Sequence, residues 1–392
     1  MDRKILELYI HIPFCARKCA YCDFLSGPAS AVAQRAYVEQ LIKEIRFQSA
    51  GFREYEVSSL FIGGGTPSVL PGEDMALMME EVRKAFRVKD DAEITIEVNP
   101  GTVSQSKVEI YAAVGINRIS IGLQSADDGE LKNLGRIHTY DEFLKTYQRV
   151  RLAGFKNVSV DLMSALPGQT LASWKNTLKK VVMLKPEHIS AYSLIIEEGT
   201  PFYEQYHGHP ELLPGEEEER EIYYAARDYL KEQGYERYEI SNYAKPGYAC
   251  RHNIGYWTGV EYLGLGLGAS SYIRNTRFHN ETDLEAYKAI PMGEEGGEGR
   301  LHQDIEALSV RTRMEEFMFL GLRMSEGVSG SEFIARFGQN MWNVYGDVLR
   351  RFEAEGLIEI ESPRVRLTDY GTDISNYVLS QFLLDPPPEA GN

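Results

Sequence analysis

YIHIPFCARKCAYCDF (residues 9–24) ends a short apolar strand in three cysteines, Cys15, Cys19 and Cys22. A CxxxCxxC cluster at a strand end offers three thiolates to one point in space. Iron–sulfur ligation fits this spacing. A structural zinc site is the competing reading, but it wants a fourth Cys or His at comparable spacing. His11 lies on the strand itself, and Cys250 is remote in sequence. Three thiolates on a four-iron cubane leave the fourth iron open for chemistry.

Working outward from that run, a short apolar strand alternates with a helical stretch six times. The strands read 7–14, 58–65, 93–100, 118–125, 157–167 and 188–196. Stretches with helical spacing lie between them, such as 36–47, 142–154 and 171–184. Gly115 and Gly154 stand where C-cap glycines close helices. Strands separated by helices imply parallel pairing through right-handed crossovers. Six repeats fall short of the eightfold barrel, so the expectation is an α/β fold: an open, partial (β/α)6 TIM-like barrel with a gap for a large substrate.

After residue 200 the pattern changes. The segment 235–272 is dense in aromatics and glycine, and GEEGGEG (293–299) reads as a flexible connector. From about 304 the chain reads helical again, and the order helix, strand, turn, strand, helix that follows in LRRFEAEGLIEI, ESP and RVRLTDYGTDISNYVLSQF suggests a winged-helix-like α+β module. The expected division is 1–235 core barrel, 236–300 aromatic and glycine-rich segment, 301–383 C-terminal domain, and 384–392 disordered tail. His207 and His209 read as a solvated loop, and Glu216–Glu219 as an acidic helix start.

The chain has 392 residues and 58 acids against 42 bases, a net charge of −16. That balance argues against a broad nucleic-acid-binding face. No apolar run reaches the roughly 18 residues a membrane span needs. The N-terminus lacks the features of a signal peptide, and four cysteines with three clustered make no disulfide framework. The expected compartment is a reduced cytoplasm, with peripheral membrane contact left open.

The run at 9–24 resembles the radical S-adenosylmethionine (SAM) enzymes, and more narrowly their HemN-like branch. The resemblance implies that Cys15, Cys19 and Cys22 hold a [4Fe–4S] cluster whose open iron binds SAM. It extends to strand ends, where the site of a parallel barrel is built. Gly63-Gly64-Gly65-Thr66-Pro67 resembles the family's glycine-rich segment, implying that Gly64, Gly65 and Thr66 meet the methionine amine. Glu97, Gln124, Arg136 and Asp161 resemble further SAM contacts, as do Tyr9 and Tyr21.

Within the branch, oxygen-independent coproporphyrinogen III oxidases carry CxxxCxxCxC, and Phe24 occupies the position of their fourth cysteine. Phenylalanine there, together with HNxxYW at His252–Trp257, resembles the heme-binding, HemW-type members. That likeness implies a heme chaperone carrying a [4Fe–4S] cluster, SAM and heme as cargo. Its implied partners are heme, an electron donor, and an acceptor such as an apo-cytochrome, with no nucleic acid. His252 is the expected heme ligand, with Tyr256 and Trp257 as stacking faces; Cys250 reads as a small buried residue. Ser270 stands where many relatives carry histidine, so no role for that histidine carries over. The alternatives are the oxidase itself, or another radical enzyme acting on a tetrapyrrole. No catalytic residue is assigned, and whether the chain is an enzyme stays open.

Overall fold

The computed structural model describes residues 3–293 and 297–384. The proposed disordered tail beyond Leu384, and residues 294–296 of the proposed connector, lie outside the described residues. Six parallel strands form the centre: Lys4–Ile12 (β1), Tyr55–Gly64 (β2), Val88–Val98 (β3), Arg118–Gln124 (β4), Val158–Ser164 (β5) and His188–Ser193 (β6). Helices Ala31–Ser49, Gly72–Ala85, Gln105–Ala113, Tyr140–Leu152 and Leu171–Val182 follow the first five strands in turn. Their starts are written locally. Ser30, Ser104, Thr139 and Thr170 each accept a hydrogen bond from a backbone N–H of the first turn, and Thr139 with Glu142 forms a capping box. Gly115 and Gly154 sit just past two helix ends, as their positions suggested.

Alternation along each strand sorts the side chains. On β1, Leu6, Leu8, Ile10 and Ile12 are fully buried against the helices. Each such side chain contributes roughly 1.5–3 kcal/mol of burial. The intervening Glu7, Tyr9 and His11 face the lumen. The same register brings polar groups inward from the other strands: Ser59, Glu93, Glu97, Arg118, Ser120, Ser159, Asp161, His188 and Ser190.

The aromatic and glycine-rich segment adds strands to both edges of this sheet. Glu236–Glu239 (β7) and Asn242–Ala244 (β8) extend it beyond β6. Tyr262–Leu265 (β9) pairs parallel with β1, and Ser270–Ile273 (β10), Thr276–Asn280 (β11) and His302–Ala307 (β12) follow antiparallel. The result is a twelve-stranded sheet with β12 and β7 as its unjoined outer strands. Helix Arg251–Thr258 packs against β2 and reaches the lumen side chains.

The C-terminal module has its own core around Met318, Phe333, Leu349 and Phe352. Helices Val310–Gly321, Gly330–Phe337 and Met341–Ala354 pack with a small antiparallel sheet of Val328–Ser329 (β13), Ile358–Glu361 (β14) and Arg364–Leu367 (β15), in the order β13-β15-β14. This is the winged-helix-like arrangement. It docks on β7 through the Glu239–Met324 bridge and through Ser325, whose N–H donates to Tyr238 O at 2.9 Å.

One buried carboxylate ties the edge strands to the first helix. Glu44 accepts from Asn280 Nδ2 at 2.8 Å, Gly266 N at 3.0 Å and the Tyr287 hydroxyl. Burial pushes its carboxyl up to about 7, against those three donors. Replacing Glu44 with Ala orphans Gly266 N and the Tyr287 hydroxyl and leaves Asn280 Nδ2 with Gly266 O alone. The expected cost is about 3 kcal/mol, read as a lower urea midpoint with an unchanged slope.

Candidate functional site

The cysteine loop is pinned at its base. Cys15 N donates to Gly27 O at 3.0 Å, and Gly27 N to Pro13 O at 3.1 Å. Cys22 N closes a turn onto Cys19 O at 3.3 Å. Gly65 and Thr66, just past β2, donate to Ile12 O at 2.9 Å and Phe14 O at 2.7 Å. Neither Gly64 nor Gly65 has room for a side chain: a Cβ would lie 2.7 Å from His11 Cε1 at Gly64 and 2.6 Å from Phe14 O at Gly65, and Gly64 also has φ +115°. The glycines therefore let the loop lie directly on the strand ends.

A cavity of about 290 Å³ opens at these ends. The three cysteines line it together with Tyr21, Gly64, Gly65, Thr66, Glu97, Gln124, Arg136 and Asp161. Phe24 stands at its mouth, 61% exposed. The thiols share one wall; among the described residues, no three His, Cys, Asp or Glu side chains are already drawn into a metal-coordinating arrangement. Burial pushes the Cys15 and Cys22 thiols up.

The polar groups opposite are connected. Arg136 donates from Nη2 to Asn99 Oδ1 at 2.8 Å and Gly122 O at 2.5 Å, and from Nη1 to Cys19 Sγ at 3.7 Å, while its buried Nε has no partner. Asn99 Nδ2 donates to Thr66 Oγ1 at 2.7 Å. Glu97 accepts Gly64 N at 3.2 Å; burial and then the nearby Asp161 push its carboxyl up to about 8. Asp161 accepts hydroxyls from Ser120, Ser159 and Ser190. Tyr192 donates to Gln124 Oε1 at 3.0 Å. An orphaned guanidinium nitrogen, a carboxyl short of a cation and a glycine cradle fit a zwitterionic amino-acid group, which offers one carboxylate and one ammonium. Three free thiols on the adjoining wall fit a three-thiolate cluster.

Tyr9, proposed with these residues, lines a different space. This second cavity, about 480 Å³, is bounded by Tyr9, His11, Phe61, His252, Asn253, Tyr256, Trp257, Tyr262 and Ser270. Its wall with the first is thin: a Cβ at Gly63 would lie 3.1 Å from Glu97 Oε2 and 3.2 Å from the Tyr9 ring. Tyr9 Oη and His11 Nδ1 are 3.1 Å apart, and His11 Nε2 lies 3.0 Å from Leu25 O in the cysteine loop.

His252 is held tightly. Its Nδ1 is hydrogen-bonded to Ser59 Oγ at 2.9 Å, and its ring stacks on Phe61 at 5.2 Å. Burial first, and then the Arg118 charge, push its pKa down to about 3, so the imidazole is neutral at ordinary pH. With Nδ1 engaged, Nε2 is the nitrogen left for a ligand. The turn that places it rests on Glu93, whose Oε1 accepts Cys250 Sγ at 3.3 Å, Arg251 N at 3.0 Å and His252 N at 3.3 Å. Cys250 is fully buried there, its thiol pushed up to about 12.

The sequence alone did not single out Asn99, Tyr192, Ser59, Phe61, Glu93 or Glu7. Asn99 and Tyr192 stand two residues from Glu97 and Ser190 on lumen-facing alternation, a signal that could have found them. Gly255, inside HNxxYW, carries another: a Cβ there would lie 2.1 Å from Glu7 Oε1. Gly255→Ala is expected to lift the helix from the lumen and cost roughly 1–3 kcal/mol, with His252 losing Ser59; thermal unfolding and the histidine NMR signals report both. Burial, and then the Glu93 charge, raise Glu7 to about 8. A raised carboxyl contributes stability at low pH, where both states are protonated. The unfolded chain ionises first, so stability falls from about pH 4.5 to about pH 8. Glu7→Gln is expected to flatten the fall in melting temperature across that range; an unchanged slope counts against the assignment.

Residues 9–181 match the Radical SAM superfamily and 308–374 the HemN C-terminal domain. The chain is 36% identical to the heme chaperone HemW of Lactococcus lactis, over 98% of this chain and 99% of that protein. It is 36% identical to the heme chaperone HemW of Escherichia coli, over 97% of this chain and 98% of that one. The solved structure of the coproporphyrinogen III oxidase HemN from Escherichia coli superposes with a TM-score of 0.84 at 23% identity, covering 97% of this chain and 90% of that one, a likeness in fold. Identity at this level along nearly the whole chain means that it belongs to the family of the heme chaperone HemW, within the radical SAM superfamily.

Proposed function

We propose that this chain is a heme chaperone that binds heme at His252 and passes it to an acceptor protein such as a respiratory apo-cytochrome. The observation that carries the reading is the neutral His252 imidazole. Ser59 holds one nitrogen, Phe61 backs the ring, and the open cavity beside it has aromatic walls. A neutral imidazole with one nitrogen fixed is a ligand for heme iron, and the family's named members are heme chaperones.

Membership of the radical SAM superfamily implies a [4Fe–4S] cluster and SAM. Cys15, Cys19 and Cys22 would hold the cluster. Arg136 would pair with the SAM carboxylate, and Glu97 with its ammonium, beside Gly64, Gly65 and Thr66. Gln124 and Asp161 offer acceptors to the rest of the cofactor, and Tyr21 an apolar face. When bound, the pair supplies one-electron chemistry at the open iron; Arg136 and Glu97 orient and neutralise the cofactor there. Tyr9 belongs to this reading as the residue between the two cavities.

The working compartment is the cytoplasm, with an electron donor reducing the cluster; among the described residues no helix is long and apolar enough to cross a membrane. Phe24, at the cavity mouth in place of a fourth cysteine, separates the chain from the oxidase pattern.

Anaerobically reconstituted protein titrated with heme tests this. Wild type is expected to develop a Soret band; His252→Ala should bind on the order of tenfold more weakly, with a shifted band. Cys19→Ala should lose the cluster's visible absorbance and keep heme. Unchanged heme binding by His252→Ala would remove the ligand assignment, and conversion of coproporphyrinogen III to protoporphyrinogen with SAM and reductant would reinstate the oxidase.

A further inference from the structure

A third cavity, about 320 Å³, lies where the C-terminal module meets the barrel. Tyr256, Trp257 and Tyr262 line it and also line the His252 cavity, so the two spaces share an aromatic wall. The module is latched to that wall: the Arg323 guanidinium stacks on Trp257 at 4.4 Å.

Arginines dominate the far side. Arg277 is occupied by Glu316, donating to its two oxygens at 2.7 and 3.1 Å. Arg313 and Arg336 are different. Arg313 donates Nη1 to the neutral Asn275 Oδ1 at 3.0 Å, and its buried Nε has no partner. Arg336 lies over the Phe317 ring at 5.3 Å and forms no ion pair among the described residues. The acids nearby do not answer them. Glu316 is committed to Arg277, Glu261 takes the Tyr55 hydroxyl and the Arg274 N–H, and Glu332 is exposed at a helix start. In a chain of net charge −16, two guanidiniums left without carboxylates beside a flat aromatic wall mark a place for an anion. A guanidinium's fork matches a carboxylate, and the buried Nε gains a bond it lacks.

A ligand with a flat apolar body and carboxylates on one edge fits both features. We propose that Arg313 and Arg336 pair with the propionate carboxylates of a tetrapyrrole whose iron is held at His252, so that the C-terminal module recognises the anionic edge of the ring. This rests on the heme-binding reading of His252. It adds a specificity site on a separate domain: the barrel would hold the metal, and the module would read the side chains of the ring.

Soret titrations of the full, cluster-reconstituted chain with heme and with heme dimethyl ester test it, because the ester keeps iron and ring and removes both charges. Wild type is expected to bind heme on the order of tenfold more tightly than the ester. Arg313→Gln/Arg336→Gln should lose most of that preference, mainly through weaker heme binding, with the His252-dependent band position unchanged. Arg313→Lys/Arg336→Lys should recover part of it. Each variant is compared with itself on two ligands, so a general loss of folding would weaken both and leave the preference intact. A preference retained by the glutamine variant, or absent in wild type that still binds through His252, overturns the propionate assignment alone. Wild type that takes up neither ligand through His252 overturns the heme reading together with it.

Discussion

The carboxylate of Glu93 is the interaction on which the arrangement of the two cavities depends. It sits in the barrel lumen on β3, and its Oε1 collects the thiol of Cys250 and the backbone N–H groups of Arg251 and His252. Those N–H groups begin the helix Arg251–Thr258 and have no partner within it. Glu93 therefore caps a helix that is more than 150 residues away in the chain. A carboxylate at the positive end of a helix is stabilised by both the hydrogen bonds and the dipole. Arg118, fully buried beside it, adds a compensating charge. Without that cap, the first turn of the helix would lose the anchor that sets the depth of His252 against Ser59 and Phe61.

A polar lumen imposes a second constraint. Burying Glu7, Glu97 and Asp161 raises all three carboxyls, because each loses water, and Glu7 also faces Glu93 while Glu97 faces Asp161. The barrel answers only part of this. Three serines satisfy Asp161, but Glu97 takes one backbone N–H, and Glu7 keeps an orphaned oxygen. A barrel built for stability alone would fill such a lumen with branched aliphatic side chains. Groups left short of partners where a cavity opens mark the places where a ligand completes the structure.

Much of this was legible in the sequence, because alternation is a local signal. Apolar residues every second position identify β1 through β6, and the polar residues between them must then face the lumen. That is why Glu97 and Asp161, far apart in the chain, line one cavity with the cysteines, whereas Arg136 lies on a loop beyond β4 and was marked only by the family resemblance. Pairings over long separations leave no such trace. The parallel contact of β9 with β1 joins Tyr262 to Glu7, and nothing around residue 262 announces that it continues the first strand. The same holds for Gly255, whose missing side chain makes sense only once Glu7 is placed under it. Tyr9, which the resemblance grouped with the SAM contacts, lines the His252 cavity together with His11, and Phe61 stacks on it there.

That placement makes β1 and β2 a shared partition. Tyr9 packs on Phe61 at 6.4 Å and Phe61 on His252 at 5.2 Å, while Tyr9 also faces Gly63, beside Glu97. His11 touches Tyr9 on one side and the carbonyl of Leu25, in the cysteine loop, on the other. His11 and Tyr9 thus join the cysteine loop to the ring that backs His252 by direct contact. The two cavities are separate volumes, but the partition between them is one side chain thick.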